Sequence, residues 1–482
     1  MSISTALSNA VSGLAAMSRA AELSSNNVAN ALTEGYSRRI GPLSAHVLDG
    51  HGHGVQMDLP LRVTDPRAVA DRRRADAAEG EAAALDEGLA RLARAYGDPG
   101  EAGSLADRAL AFEAALGLAR DTPESTNARA GLLDAAKSLA ERLNRISTEN
   151  QRLRMAADAA IARQVETVNT ALQSIESINQ EIRVRNATGR EVAALEDERQ
   201  KLVDQVNRII PIRTASRQDG AIALYTGGGA VLVDGPAATL GFTATGVITA
   251  DMTVGSGALS QLTIDGNPVT VGQGGGPVDG GTLGAAFALR DVTGPASNAR
   301  IDALAADLMQ RFEAVDTDGT GAGLFTDAGS PYNAATQDGL AGRIAINAAA
   351  DPDQGGALYR LRDGLSATAP GIAGDDTLLT AMTDAFTAQN PAPAGTGVSG
   401  ALSGADLAGA VAAIAGHEAG TGADRAAYWS GRLFAMREAE LAVSGVDTDQ
   451  EMQRLLQIET SYAANAKVIE TVDFLLKRLM EI

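Results

Sequence analysis

The chain has 482 residues, 45% apolar, 21% charged and only 3% aromatic, a globular composition whose cores must be aliphatic and alanine-based; at about 100–200 residues per domain this length suits several domains. Sixty acidic against 40 basic residues leave a formal charge of −20, which excludes a general attraction to nucleic acid or an anionic membrane. Cysteine is absent, so disulfides, thiolate zinc sites and cysteine nucleophiles are excluded as well.

The first residues carry no basic segment before Arg19 and their apolar run is broken by Ser and Asn, so a cleaved secretory signal is not expected. Nor does any stretch reach the roughly 18 consecutive apolar residues of a membrane span. Ile3, Leu7, Ala10, Leu14, Met17, Ala21 and Val28 instead follow alternating steps of three and four, with Ser24 as the one polar member. That spacing predicts a heptad seam. Only Arg19 and Glu22 are charged between residues 2 and 33, so the opposite face suits contact with further protein. At the other end Leu455, Ile458, Tyr462, Ile469, Val472, Leu476 and Leu479 repeat the rule, with Asn465 as the polar exception. Residues 1–40 and 441–482 are therefore expected to form one terminal helical assembly domain. One seam is too little burial to order two such helices alone, so the ends are expected to be mobile until neighbouring subunits cover them.

Between these ends the pattern is strongly helical over 72–96, 104–119, 126–185 and 192–209, with Thr122-Pro123-Glu124 read as a helix start and Pro211 as a stop. Residues 41–210, with 293–316 and 402–440, read as an elongated helical trunk. Past Pro211 the period becomes two, with Asp-Gly, Gly-Gly-Gly and Gly-Asn-Pro turns, which predicts a β-rich insertion over 211–292. A glycine-rich run at 272–284 leads into a helix near 297–315. Residues 317–401 are an outer Gly/Ala/Asp-rich region whose fold the pattern leaves open. Helical pattern resumes over 405–444, where Tyr428, Trp429 and Phe434 are expected in the core. The fold class is α+β and multidomain: terminal coiled-coil-like helices, a helical trunk and inserted β-rich outer structure, with both termini at one end.

Chemistry is sparse. His51-Gly52-His53 reads as a surface turn, since neither His46 nor His417 completes a ligand set. Asp316, Asp318, Thr320, Gly321 and Asp327 have the spacing of a calcium loop, but Asp stands where glutamate is usual and Gly323 where a branched apolar residue is, so calcium binding stays open. Glycines 227–229 and 274–276 have no Lys-Ser/Thr after them and read as turns rather than a phosphate cradle. Arg72, Arg73 and Arg74 read as a solvated face. No catalytic constellation is evident, and neither enzyme activity, cofactor nor metal is expected.

The segments Ser12-Gly13-Leu14-Ala15-Ala16, Ser25-Asn26-Asn27-Val28-Ala29-Asn30 and Thr33-Glu34-Gly35-Tyr36-Ser37-Arg38-Arg39 together resemble the N-terminal signature of bacterial flagellar rod, hook and hook-associated axial proteins. Ser444-Gly445-Val446-Asp447, Glu451-Met452, Leu476 and the run 462–469 resemble the family's C-terminal signature. Gly35-Tyr36-Ser37-Arg38 and Ser444-Gly445-Val446 are similar to hook-associated members, where rod and hook proteins tend to read Gly-Tyr-Lys and Ser-Asn-Val-Asp. Gly281-Thr282-Leu283-Gly284, Leu289-Arg290-Asp291 and Leu324-Phe325 are similar to that branch's middle region.

The resemblance implies a structural axial protein at the hook–filament junction, self-associated in a helical tube between hook protein and hook-associated protein 3. It implies type III export without a cleaved signal, a cytoplasmic export chaperone on the C-terminal helix, and a final place on the flagellum outside the cell. The assembly interface is expected at the seam residues Ile3, Leu7, Leu14, Met17 and Val28, at Asn26, Asn27, Asn30, Gly35 and Tyr36, and at the C-terminal seam with Asn465. The three asparagines would fix register and Gly35 would allow a chain reversal. A hook or distal-rod protein is the nearest alternative; a secreted enzyme carried by axial-type helices is the distant one.

Overall fold

The computed structural model describes residues 3–33, 35–48, 51–272 and 276–480, apart from the side chains of Leu48, His51 and Leu479. Glu34 of the N-terminal signature, glycines 274 and 275, and the His51 and Leu479 side chains therefore lie outside what is described.

Helix α1 (Ile3–Ala29) leads to a hairpin, Leu43–Leu48 with His51–Met57, and to a two-residue antiparallel pairing of Arg39–Ile40 with Leu61–Arg62. Four helices follow: α2 (Pro66–Tyr96), α3 (Leu105–Asp121), α4 (Thr126–Ala187) and α5 (Ala193–Ile209). Their starts are written locally. Asp65 caps α2 with Pro66 in its first turn, and Ser104 caps α3 while Asp107 reaches back to the Gly103 N–H. The expected helix start at Thr122 is displaced: Thr122 closes α3, its hydroxyl donating to Leu118 O at 2.7 Å, and Ser125 caps α4.

Helix α4 is the spine. Its 62 residues span about 93 Å at 1.5 Å per residue. Buried positions recur along it from Leu132 to Ile182, so it serves two cores in succession. The first core gathers α3, the N-terminal half of α4, α7 (Gly294–Glu313), α9 (Thr377–Thr387) and the start of α10 (Gly404–Ser444) around four phenylalanines. Phe112, Phe312, Phe325 and Phe386 pack edge-on or tilted with centroids 5.1–6.3 Å apart. Residues 317–401 belong to this core. Their short strands Phe325–Asp327 and Ile344–Ile346 pair antiparallel, and buried Asp302 on α7 accepts the N–H groups of Gly339 and Ala341 at 2.7 and 2.8 Å. Helix α8 (Arg360–Asp363) is a single turn beside α9.

The second core lies between the C-terminal half of α4, α5, α6 (Gly281–Ala288) and the β-rich insertion. Two three-stranded antiparallel sheets, 212–233 and 240–269, rest there, pinned by Asn179 to Ile222 O at 2.9 Å and by Asn169 to Leu240 O at 2.8 Å. Between the cores the Leu289-Arg290-Asp291 motif does a specific job. Arg290 is fully buried, bonds Asp158 of α4 at 2.7 Å and Asp291 at 2.8 Å, and lies over the rings of Phe242 and Phe287. It locks the insertion to the spine.

Three expectations are corrected. Arg72 and Arg73 are not a solvated face: both bond Asp204 of α5 at 2.6 Å, Arg72 also holds Glu440 of α10, and only Arg74 faces solvent. Tyr428 and Phe434 are not core but 64% and 68% exposed, and Trp429 is half-buried, edge-on to the Tyr428 ring at 5.2 Å. His53 lies in a strand, not a flexible turn, with its ring 6.5 Å from that of His46.

The calcium-loop spacing resolves into turn chemistry. Asp318 accepts the Thr320 and Ala322 N–H groups and the Asn347 amide, Asp316 accepts the Leu365 N–H, and Asp327 is paired with Arg343. Among the described residues no three His, Asp or Glu side chains converge as metal ligands, and no helix is long and apolar enough to cross a membrane.

Candidate assembly interface

Helix α11 (Thr448–Met480) lies antiparallel to α1. Two close approaches fix the register: Ser24 Oγ donates to Glu451 Oε2 at 2.5 Å, and a Cβ on Gly13 would stand 2.8 Å from Asn465 Oδ1. The residues that α1 buries are Ala10, Gly13, Ala16, Ala20, Leu23, Ser24 and Asn27. This set runs beside the aliphatic seam seen in the sequence, and Ile3, Leu7, Leu14, Met17 and Val28 are half-buried. Small side chains let the backbones approach, so the deepest line on α1 is the one with the weakest hydropathy signal. The hairpin covers α1 from another side, with Ser12 Oγ accepting the Val55 N–H at 3.2 Å.

On α11, Ile458 and Val472 are buried and Leu455, Asn465 and Ile469 half-buried, but Tyr462 and Leu476, on the same face, remain 47% and 40% exposed. Met452, Leu456 and Phe474 also point away from α1 and are bare, as separate patches toward the two ends of α11, because Glu459, Lys467 and Glu470 occupy the same face between them. The pair is thus a stalk with one helix partly covered on one side and uncovered on the other.

The signature motifs meet at the base of this stalk. Asn27 is fully buried: its Oδ1 accepts the Tyr36 hydroxyl at 2.8 Å and the Arg39 N–H at 3.0 Å, and its Nδ2 donates to Arg39 O at 2.9 Å. Gly35 reverses the chain at φ 75°, a conformation suited to glycine. Burial raises the Tyr36 phenol above its ordinary pKa, opposed by Arg39, which lies over the ring. Arg39 and Arg62 share Asp197 of α5 at 2.8 and 2.7 Å, and Arg62 also reaches Ser37 and Gln200. The Arg38 N–H donates to Ser444 O at 2.9 Å, which brings the second signature to the first, and Asp447 then caps α11. Asn26 is exposed, its carbonyl accepting the Asn30 amide within the same helix. Asp197 and Arg62 were missed by sequence reasoning; nothing local marks a carboxylate 158 positions from Arg39 as its partner.

The two chain ends of this helical body thus converge on one half-covered stalk of α1 and α11, an arrangement of the axial-protein type. Residues 89–331 match the family model described as the flagellar hook-associated protein FlgK helical domain, and residues 438–482 match the flagellar basal body rod FlgEFG protein C-terminal model. The chain belongs to the flagellar hook-associated protein FlgK family. Among solved structures it is similar to the flagellar hook junction protein FlgK from Burkholderia pseudomallei, at 18% identity and a TM-score of 0.42 over 53% of this chain. It spans 46% of that protein, about half its length. No curated protein matches.

Proposed function

We propose that this chain is a non-enzymatic structural protein of the bacterial flagellum that joins hook to filament by nesting α1 and α11 among the terminal helices of neighbouring subunits. The observation that carries this reading is the exposure of Met452, Leu456, Tyr462, Phe474 and Leu476 along a helix that α1 covers on one side only. Large apolar side chains left bare on a helix in this way are covered by protein, and a head-to-tail arrangement of such contacts builds a helical tube. The interface comprises the two seams, with Asn27, Gly35 and Tyr36 setting the angle of the stalk.

Hook protein on one side and hook-associated protein 3 on the other are the partners this position requires. Before export, the α11 line is the surface an export chaperone would cover, and the route out is type III secretion without signal cleavage to an extracellular site on the flagellum. The rod-type match at 438–482 favours a second reading, a hook or distal-rod position.

Deleting residues 3–30 or 446–482 tests the reading. The trunk should remain folded, with the helical circular dichroism of its two cores, and filaments should not anchor; a truncated chain that still anchored them would overturn it. Labelling isolated hook–basal bodies separates the two positions, with signal at the distal tip of the hook for the junction and along its length or below it for the alternative.

A further inference from the structure

Three of the chain's four histidines, His46, His51 and His53, lie in the hairpin that covers α1. Its strands pair Leu43 with Met57 and Ala45 with Val55 at the base, but Val47 with Gly52 at the tip, so the register slips by one residue in between. Continued from the tip, that register sets His46 opposite His53 and leaves Gly54 as the extra residue, at a φ of 100° that favours glycine. The bulge thus brings the two imidazoles together, with ring centroids 6.5 Å apart and planes at 76°. Helix α1 holds the bulge in place: a Cβ on Gly54 would collide with Ser12 Oγ, which accepts the Val55 N–H. His53 is exposed and His46 half-buried, and neither ring has a hydrogen-bond or ion-pair partner among the described residues.

Two neighbouring imidazoles with free ring nitrogens are ligands for a late first-row divalent metal ion, the class that imidazole suits. At metal–nitrogen distances of about 2.0–2.1 Å, two imidazoles on one tetrahedral ion have centroids about 5 Å apart, a gap that small side-chain rotations close. We propose that His46 and His53 form a two-imidazole site for a divalent transition-metal ion of the zinc and copper class. Water takes the remaining positions, since no third His, Asp or Glu converges there among the described residues. With no cysteine in the chain, no thiolate competes for the ion. The bound ion ties one strand of the hairpin to the other at its bulge. Because the same bulge is seated on α1, the ion also stiffens the cover over the stalk.

Zinc chloride titrated into the purified full chain, in a mildly basic buffer that does not chelate, tests the site independently of any place on the flagellum. One ion should bind per chain, with the dissociation constant raised at least tenfold in H46A and in H53A. H417A, which alters the exposed histidine of α10, should change it less than threefold. With copper(II) in place of zinc, electron paramagnetic resonance should show two coupled imidazole nitrogens in wild type and one in each hairpin variant. Amide exchange of peptides covering 43–57 should slow when zinc is added and stay unchanged in H46A. No saturable uptake of either ion up to about 1 mM overturns the proposal. So does uptake that survives H46A or H53A, or that is lost in H417A.

Discussion

Replacing Asn27 by alanine should loosen the base of the stalk without unfolding the trunk. The side chain makes three hydrogen bonds from a fully buried position: one accepted from Tyr36 and, with Arg39, one accepted and one donated. At about 1 kcal/mol net for each neutral bond, their loss costs about 3 kcal/mol. Because the trunk cores share no side chain with this loop, the cost appears as easier local opening. A change of 3 kcal/mol is roughly a 100-fold rise in amide exchange at the Arg39 N–H. Hydrogen exchange of peptides covering 36–40 reads this directly. Asn30→Ala is the control, since its side chain donates to the Asn26 carbonyl and accepts the Thr33 hydroxyl, both exposed and neither touching Arg39, and should change exchange by less than about threefold. If N27A left Arg39 exchange unaltered, or N30A raised it equally, the joint would not depend on Asn27 and the reasoning would fail.

Asp197→Asn should leave Arg39 and Arg62 sharing no carboxylate; with side chains 10–15% exposed, roughly 2–4 kcal/mol of local stability is lost, read as faster protease cleavage between residues 30 and 62. Asp302 gives a pH signature. Burial pushes its pKa up to about 6 against the Gly339 and Ala341 N–H groups, so between about pH 4 and 6 the folded chain holds a proton that the unfolded chain, at 3.8, has released. Stability from this group therefore falls as pH rises through that window, and the advantage of wild type over D302N in denaturant midpoint should be larger at pH 4.5 than at pH 7; an equal gap would contradict the assignment. Leu456→Glu with Phe474→Glu removes exposed apolar area only, so unfolding should move by less than about 0.5 kcal/mol while filament anchoring is lost in a motility assay.

The trunk was legible because its long helices repeat apolar residues at helical period; its caps were not, so α2 starts at Pro66 after Asp65 rather than at residue 72, and α4 is capped by Ser125 rather than started at Thr122. The insertion was legible from its period of two and its turn dipeptides. The buried line on α1 was not, because Gly13, Ala16 and Ala20 carry little hydropathy and matter by letting α11 come close. Arg72 read as solvated because its partners Asp204 and Glu440 are 132 and 368 positions away, and charge pairing at that range leaves no local trace. Tyr428 and Phe434 read as core from residue type alone, but both sit on an exposed face of α10. Residues 317–401 resisted reading because strands of three residues, held by Asp318, Asn347 and Asp302, have no period to detect.

The most direct measurement is maleimide labelling of single cysteines placed at Leu456, Tyr462 and Phe474 in this cysteine-free chain, on the purified chain and again in isolated flagella. Val184, 65% exposed near the far end of α4, is the reference site. The account predicts ready labelling of all four sites on the free chain, and in flagella strong protection of the three α11 sites with Val184→Cys still reactive. Equal labelling of α11 before and after assembly would contradict it.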